Sequence, residues 1–261
     1  MITPQRECIK KRISMNNFLL ENEALDDLQI NNLYIIQKKT GFKFGTDAVL
    51  LSDFAKGVRS ETVLDLCTGS GIVPILLSAK TDAKKIFGLE IQKGIADMAK
   101  RSVLYNGLSD RVTILQGDLK NSREIFRAHS FDTVTINPPY MKADSNIKNI
   151  TDEKTIARHE VLCSLEDSIK ASRDMLKFHG NFFMIHRPNR LLDITEAMRE
   201  QKIEPKALRF VHSKQDTEPS MVLVHGVYQG GRNLRILPPL ILFDKCGNET
   251  EEIRKIYGKD R

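Results

Sequence analysis

The sequence predicts an α/β fold: a seven-stranded, mostly parallel sheet with an antiparallel terminal strand and helices on both faces. Three observations predict it. From residue 61 onward, short runs rich in Val, Ile and Leu alternate with longer runs of helical period. The first strand of the series ends in a glycine-bearing turn, DLCTGSG, that leads directly into an apolar helix. The last two strand-like runs are separated only by KQDTEP, too short for a crossover helix, so they form an antiparallel hairpin.

The elements follow in order. LYIIQ (Leu33 to Gln37) reads as a short strand and KKTG as a turn. GFKFGTDAVLLSDFAKG reads as a strand end and a helix capped by Thr46 or Asp47. ETVLDLC, KKIFGLE, RVTILQGD and FDTVTIN are strands, joined by helices over GIVPILLSAK, QKGIADMAKRSVLYNG and a short one near Lys120 to Arg127. A long helix is expected over His159 to Phe178, then a strand, NFFMIHR, and a helix, RLLDITEAMREQK. PKALRFVHS and SMVLVHGVYQ make the hairpin, and the tail RNLRILPPLILFDKCGNETEEIRKIYG lies over the sheet edge. Residues 1–30 read as a basic N-terminal arm and lead-in, with Met15 an alternative initiator, and 31–261 as a single domain.

Composition excludes several classes. No apolar run is long enough for a membrane span, and the basic start lacks the apolar stretch of a secretory signal. The cysteines Cys8, Cys67, Cys163 and Cys246 are scattered, so neither a disulfide framework nor a metal site is indicated. A reducing cytoplasm and a monomer are the expectation. The net charge of +6 suits an anionic partner such as nucleic acid.

Four features stand in order at the carboxyl ends of successive strands, the edge where open α/β sheets bind ligands. In DLCTGSG, Gly69 and Gly71 allow close backbone approach. Their spacing is not that of a dinucleotide fingerprint, and Asp65 would repel a pyrophosphate but suit an ammonium. Glu90, ending KKIFGLE, can accept both hydroxyls of a ribose. Asp118, in LQGD, can accept from an adenine amino group or cap the following helix, and both roles can coexist. FDTVTINPPY then stops a strand dead at two prolines. An adenine amino nitrogen has its lone pair delocalised into the ring. The Asn137 oxygen and the Pro138 carbonyl could bind both its hydrogens and pyramidalise it, while Tyr140 stacks on the base.

This run of motifs resembles the class I, Rossmann-like S-adenosylmethionine-dependent N-methyltransferases with an Asn-Pro-Pro-Tyr site. FGTDAVLL, DLCTGSGIVPILL, INPPY, IARHE, HRPNRLLDI and ILPPL are similar to the bacterial valine-tRNA adenine-N6 methyltransferases, from about Leu33 to the end. The resemblance implies methylation of the adenosine 3′ of the anticodon, with S-adenosylmethionine as donor and S-adenosylhomocysteine as product. It implies catalytic roles for Asn137, Pro138 and Tyr140. Cofactor contacts would come from Asp65, Thr68, Gly69, Gly71, Glu90, Ile91, Asp118, Leu119 and Asn137, with Phe44, Thr46 and Asp47 closing over the cofactor.

A stacked base must be extruded before it can react, at less cost from a loop than from a duplex. Lys38, Lys39, Lys43, Lys142, Lys148 and Arg158 are the candidates for RNA phosphates. The segment from Met141 to Arg158 is expected to be mobile without RNA and ordered with it. Arg158, His159 and Glu160 start the long helix, where Glu160 suits a helix amino end; His186 and Arg187 end the fifth strand. Other readings are a protein glutamine methyltransferase, whose helical N-terminal domain has no counterpart here, or a ribosomal RNA or DNA amino-methyltransferase. A non-catalytic RNA-binding module and a dehydrogenase are further from the motifs.

Overall fold

In the computed structural model, residues 18–40, 45–139 and 163–259 are described. A hairpin of β1 (Glu23–Asp27) and β2 (Tyr34–Lys38) comes first, then α1 (Thr46–Ala55). Alternation follows: β3 (Thr62–Leu66), α2 (Ile72–Lys80), β4 (Lys85–Glu90), α3 (Lys93–Tyr105) and β5 (Val112–Gln116). Next are a short α4 (Ser122–Ile125), β6 (Phe131–Ile136), α5 (Leu165–Met175), β7 (Leu176–His186) and α6 (Leu191–Glu200). The chain ends with β8 (Ile203–His212), β9 (Pro219–Tyr228), β10 (Arg235–Ile236), β11 (Leu240–Ile241) and α7 (Glu251–Ile256).

The main sheet runs β5-β4-β3-β6-β7-β9-β8-β10, with β11 also on β8. β3 pairs in parallel with β4 on one side and β6 on the other. The chain therefore leaves β3 in one direction and returns on the other, a switch point that opens a crevice at the carboxyl edge. β9 is antiparallel to both β7 and β8. The last long strand thus lies inside the sheet rather than at its rim. The tail covers that rim: β10 and β11 each pair in parallel with β8.

Both faces of the sheet are covered, and strand residues divide between them with period two. Val63, Phe183 and Ile185 enter a cluster with α1, α2, α3 and the tail helix, through residues such as Leu51, Leu76, Ala99 and Ile256. Leu64, Phe182 and Met184 enter a second cluster with α5 and α6, through Ile169, Met175 and Met198. No helix among the described residues is long and apolar enough to cross a membrane.

Three expectations are corrected. The helix before β7 does not reach Phe178. Its described part starts after Ser164, whose side chain forms a capping box with Asp167, and it stops at Met175. Leu176 is already paired with Phe131, and His179, at φ 59°, could not continue a helix. Residues 159–162 lie outside the described residues. Neither Thr46 nor Asp47 caps α1, because the cap position is Gly45. β8 begins at Ile203, two residues ahead of Pro205, and carries that proline in a register shift where its missing donor costs nothing.

The β1–β2 hairpin is fixed by a buried ion pair. Glu23 is 3% exposed and accepts from Arg101 of α3 at 2.6 and 2.9 Å. The Arg101 hydrogen bond, helped by the Leu20 N–H and opposed by burial, holds the Glu23 carboxyl down to about 2 from 4.5. The stability this contributes is present above about pH 4.5 and lost as pH falls toward 2. Glu23→Gln should flatten that part of the acid-denaturation curve. Arg101→Ala should cost about 3 kcal/mol in urea unfolding at neutral pH, since it strands a buried carboxylate.

Candidate active site

The loop after β3 is shaped by positive backbone angles: Cys67 at φ 56°, Gly69 at 55° and Gly71 at 82°. Gly71 is the cap of α2, and a Cβ there would stand 3.1 Å from that of Ala99. A Cβ on Gly69 would meet nothing within 4 Å, so the loop backs onto open space at the sheet edge. Its neighbour Thr68 is buried and packs against Gly88 of β4, where any Cβ would approach its hydroxyl to 2.8 Å.

Glu90 closes this loop onto the next. One carboxylate oxygen accepts from the Gly69 N–H and the other from the Gln92 N–H, each at 2.9 Å. The residue is 5% exposed. Each oxygen keeps a lone pair for a further donor. Asp65, on β3, is 1% exposed and accepts from the Thr135 hydroxyl of neighbouring β6 at 2.6 Å. Burial, reinforced by the nearby Glu90 charge and only partly offset by hydrogen bonding, pushes its carboxyl up to about 7. Asp118 follows β5 and caps the short turn after it, accepting from the Lys120 N–H at 2.9 Å. Its second oxygen stays available. Leu119 is buried in the second cluster, so its side chain serves the core. The Ile91 carbonyl accepts from Gln116 at 3.1 Å.

Asn137 follows the last residue of β6. Its Nδ2 donates to Asp47 Oδ2 of α1 at 3.1 Å. Its Oδ1 is buried and has no partner among the described residues. Asp47 also accepts from the Ala48 N–H at 3.0 Å. Its carboxylate occupies the space a Cβ on Gly45 would need, at 2.6 Å. Pro138 is buried and Pro139 exposed.

So β3, β4, β6 and α1 bring Asp65, Thr68, Gly69, Glu90, Asn137 and Asp47 to one edge, with Asp118 at the end of adjoining β5. The Thr46 hydroxyl bonds Tyr257 of the tail. Lys38 is 3.5 Å from Glu23, while Lys39 is exposed. Phe44, Lys43, Tyr140, Lys142, Lys148, Arg158, His159 and Glu160 lie outside the described residues. His186 is buried, and burial with the positive charge of Arg190 lowers it to about 4, so it is neutral near pH 7. Arg187 donates to the Ser220 carbonyl at 2.9 Å, a structural use. Thr135, the Asp65 partner, was invisible in sequence because a buried strand threonine carries no local signal. Among the described residues no group of His, Cys, Asp or Glu could hold a metal.

Comparison with known proteins follows the same lines. A relative from Porphyromonas gingivalis is 28% identical over 195 residues, covering 72% of this chain and 76% of that protein. One from Parabacteroides distasonis is 25% identical over 196 residues, covering 75% and 81%. Both are named tRNA1(Val) (adenine(37)-N6)-methyltransferase. Among solved structures, a predicted O-methyltransferase from Agrobacterium tumefaciens superposes with a TM-score of 0.65 at 19% identity, covering 81% of this chain and 95% of that one. TrmN from Thermus thermophilus gives 0.51 at 18% identity, covering 69% and 48%. These two likenesses establish the fold. The family model of the methyltransferase small domain matches residues 28–203, from the end of β1 to the start of β8, and the chain belongs to that family.

Proposed function

We propose that the chain transfers a methyl group from S-adenosylmethionine to N6 of an adenosine beside the anticodon of a tRNA, as the names of its relatives state of them. The observation that carries the amino-transfer reading is the buried, unpartnered Oδ1 of Asn137 at the carboxyl edge. A buried acceptor without a donor costs about 1–3 kcal/mol, a cost that a substrate N–H would remove.

The residues present fit the donor molecule. Asp65 suits its ammonium, the free lone pairs of Glu90 its ribose hydroxyls, and the second oxygen of Asp118 its adenine amine. The open space against Gly69 admits its backbone-facing side. When bound, it supplies an electrophilic methyl group on sulfur. The chain's part is orientation. Asn137 Oδ1 and the Pro138 carbonyl accept from the two amino hydrogens of the target and draw its lone pair out of conjugation. Tyr140 and the basic residues Lys38, Lys43, Lys142, Lys148 and Arg158 are proposed to hold the base and the RNA backbone. The protein would act as a cytoplasmic monomer, with residues 31–261 as one catalytic domain.

The deciding experiment offers labelled S-adenosylmethionine with unmodified total tRNA and, separately, with release factor, followed by nucleoside analysis. N6-methyladenosine from tRNA is the expected product, and label in release factor alone would overturn the substrate. In the same assay, Asn137→Ala should cut kcat by on the order of 10²–10³-fold while leaving cofactor affinity within a few fold.

Cofactor affinity should also depend on pH. An ammonium ligand favours ionised Asp65, which titrates at about 7 in the free protein, so affinity should rise from pH 6 toward neutrality. It should fall again as the ligand's own amino group deprotonates, near pH 8. Calorimetry across this range checks it. Asp65→Asn should bind weakly and lose the rising limb.

A further inference from the structure

The two ends of an asparagine amide are nearly equal in size, and half a turn about χ2 exchanges them. At the end of β6 the exchange matters. With Oδ1 forward, Asn137 presents an acceptor to an amino group. With Nδ2 forward it presents donors to a donor, and the contact becomes repulsive. The group behind the amide decides which end is forward. That group is Asp47, whose Oδ2 lies 3.1 Å from Nδ2. An ionised carboxylate can only accept, so a flipped amide would set two oxygens against each other.

We infer that Asp47 is a positioning residue for the transfer: it holds Asn137 in the single amide orientation that offers Oδ1 to the substrate. This rests on the amino-transfer reading above and differs from cofactor closure, the role the sequence suggested for the same residue. The surroundings of Asp47 support a fixed carboxylate. It stands in the first turn of α1, where the helix amino end favours negative charge. Its other oxygen accepts from the Ala48 N–H, and the missing Cβ of Gly45 leaves it room. The start of α1 is in turn held by the tail. The Thr46 hydroxyl bonds Tyr257, and Ile253 and Ile256 of α7 are buried in the same cluster as Ala48 and Leu51. The C-terminal tail therefore buttresses a residue that acts through another at the far end of the site.

The test is a double-mutant cycle on tRNA methylation, with cofactor affinity measured separately. Asp47→Ala should lower kcat by about 10- to 10²-fold and leave the dissociation constant for S-adenosylhomocysteine within threefold. The double variant Asp47→Ala, Asn137→Ala should be no slower than Asn137→Ala alone, because the first change acts only through the second side chain. Additive losses, or a loss confined to cofactor affinity, would overturn the assignment. The near-isosteric Asp47→Asn guards against a folding defect: its amide can face Asn137 either way, so it should be impaired at unchanged melting temperature. A second readout needs no substrate. In ¹⁵N-asparagine-labelled protein, the Asn137 side-chain NH₂, identified by its loss in Asn137→Ala, should show one strongly downfield proton that moves upfield in Asp47→Asn. An unchanged resonance would refute the contact even if the protein proved to methylate something other than tRNA.

Discussion

The core of the candidate site, Asp65, Thr68, Gly69, Glu90 and Asn137, is placed by the pairing of β3 with β4 on one flank and β6 on the other. These strands are parallel and buried on both faces, so their registers are set by core side chains rather than by the site. Asp65 pairs with Gly88 and with Thr135. The first partner, having no side chain, leaves room for Thr68; the second supplies the hydroxyl that holds the carboxylate. Leu66 pairs with Ile136, which puts the glycine loop and Asn137 at the same height on the edge. A slip of one residue in either ladder would turn Asp65 and its neighbours to the opposite face.

The edge so built is acidic within a basic protein. Asp47, Asp65, Glu90 and Asp118 are gathered there, while the chain carries +6 overall. Carboxylates so arranged must be satisfied locally, and three of them spend one or both oxygens on nearby backbone N–H groups, Glu90 joining the β3 loop to its own. That use is structural, and the second oxygen of Asp47 is taken by the Asn137 amide. Asp65 is buried beside the Glu90 charge, and burial pushes its carboxyl up to about 7 despite the Thr135 hydrogen bond. The belt disfavours a pyrophosphate cofactor on electrostatic grounds and favours a ligand rich in N–H, O–H and positive charge.

Much of this was legible in the sequence because each site residue sits where an apolar run meets a glycine, a proline or an acid. The mostly parallel sheet followed from alternation, and the antiparallel return from the shortness of KQDTEP. What escaped depends on contacts far apart in the chain. Strand β1 has little strand character of its own and exists through Arg101, 78 residues away from Glu23. The end of the helix before β7 depends on His179 adopting a left-handed angle with no glycine to announce it. Asp47 and Asn137 are 90 residues apart, and no local pattern joins them. An aspartate in FGTD reads as a cap by propensity, and tertiary structure overrides it, with Gly45 in the cap position.

The acidic belt also explains why the acceptor after β6 is an amide. A carboxylate would bind an amino hydrogen more strongly in isolation. At this position it would face Asp47 Oδ2, which is 3.1 Å from the present Nδ2. Two carboxyl groups at that distance cannot both ionise, so one would hold a proton shared with the other, and its forward oxygen would be a neutral carbonyl rather than a charged acceptor. Asparagine avoids the conflict by presenting a donor to the carboxylate behind it and an acceptor in front. In the proposed transfer the contact with Asp47 would polarise the amide and make Oδ1 a better acceptor without adding a proton that could be misplaced. In that proposed transfer, an amide backed by a carboxylate would do at this edge what neither group could do alone.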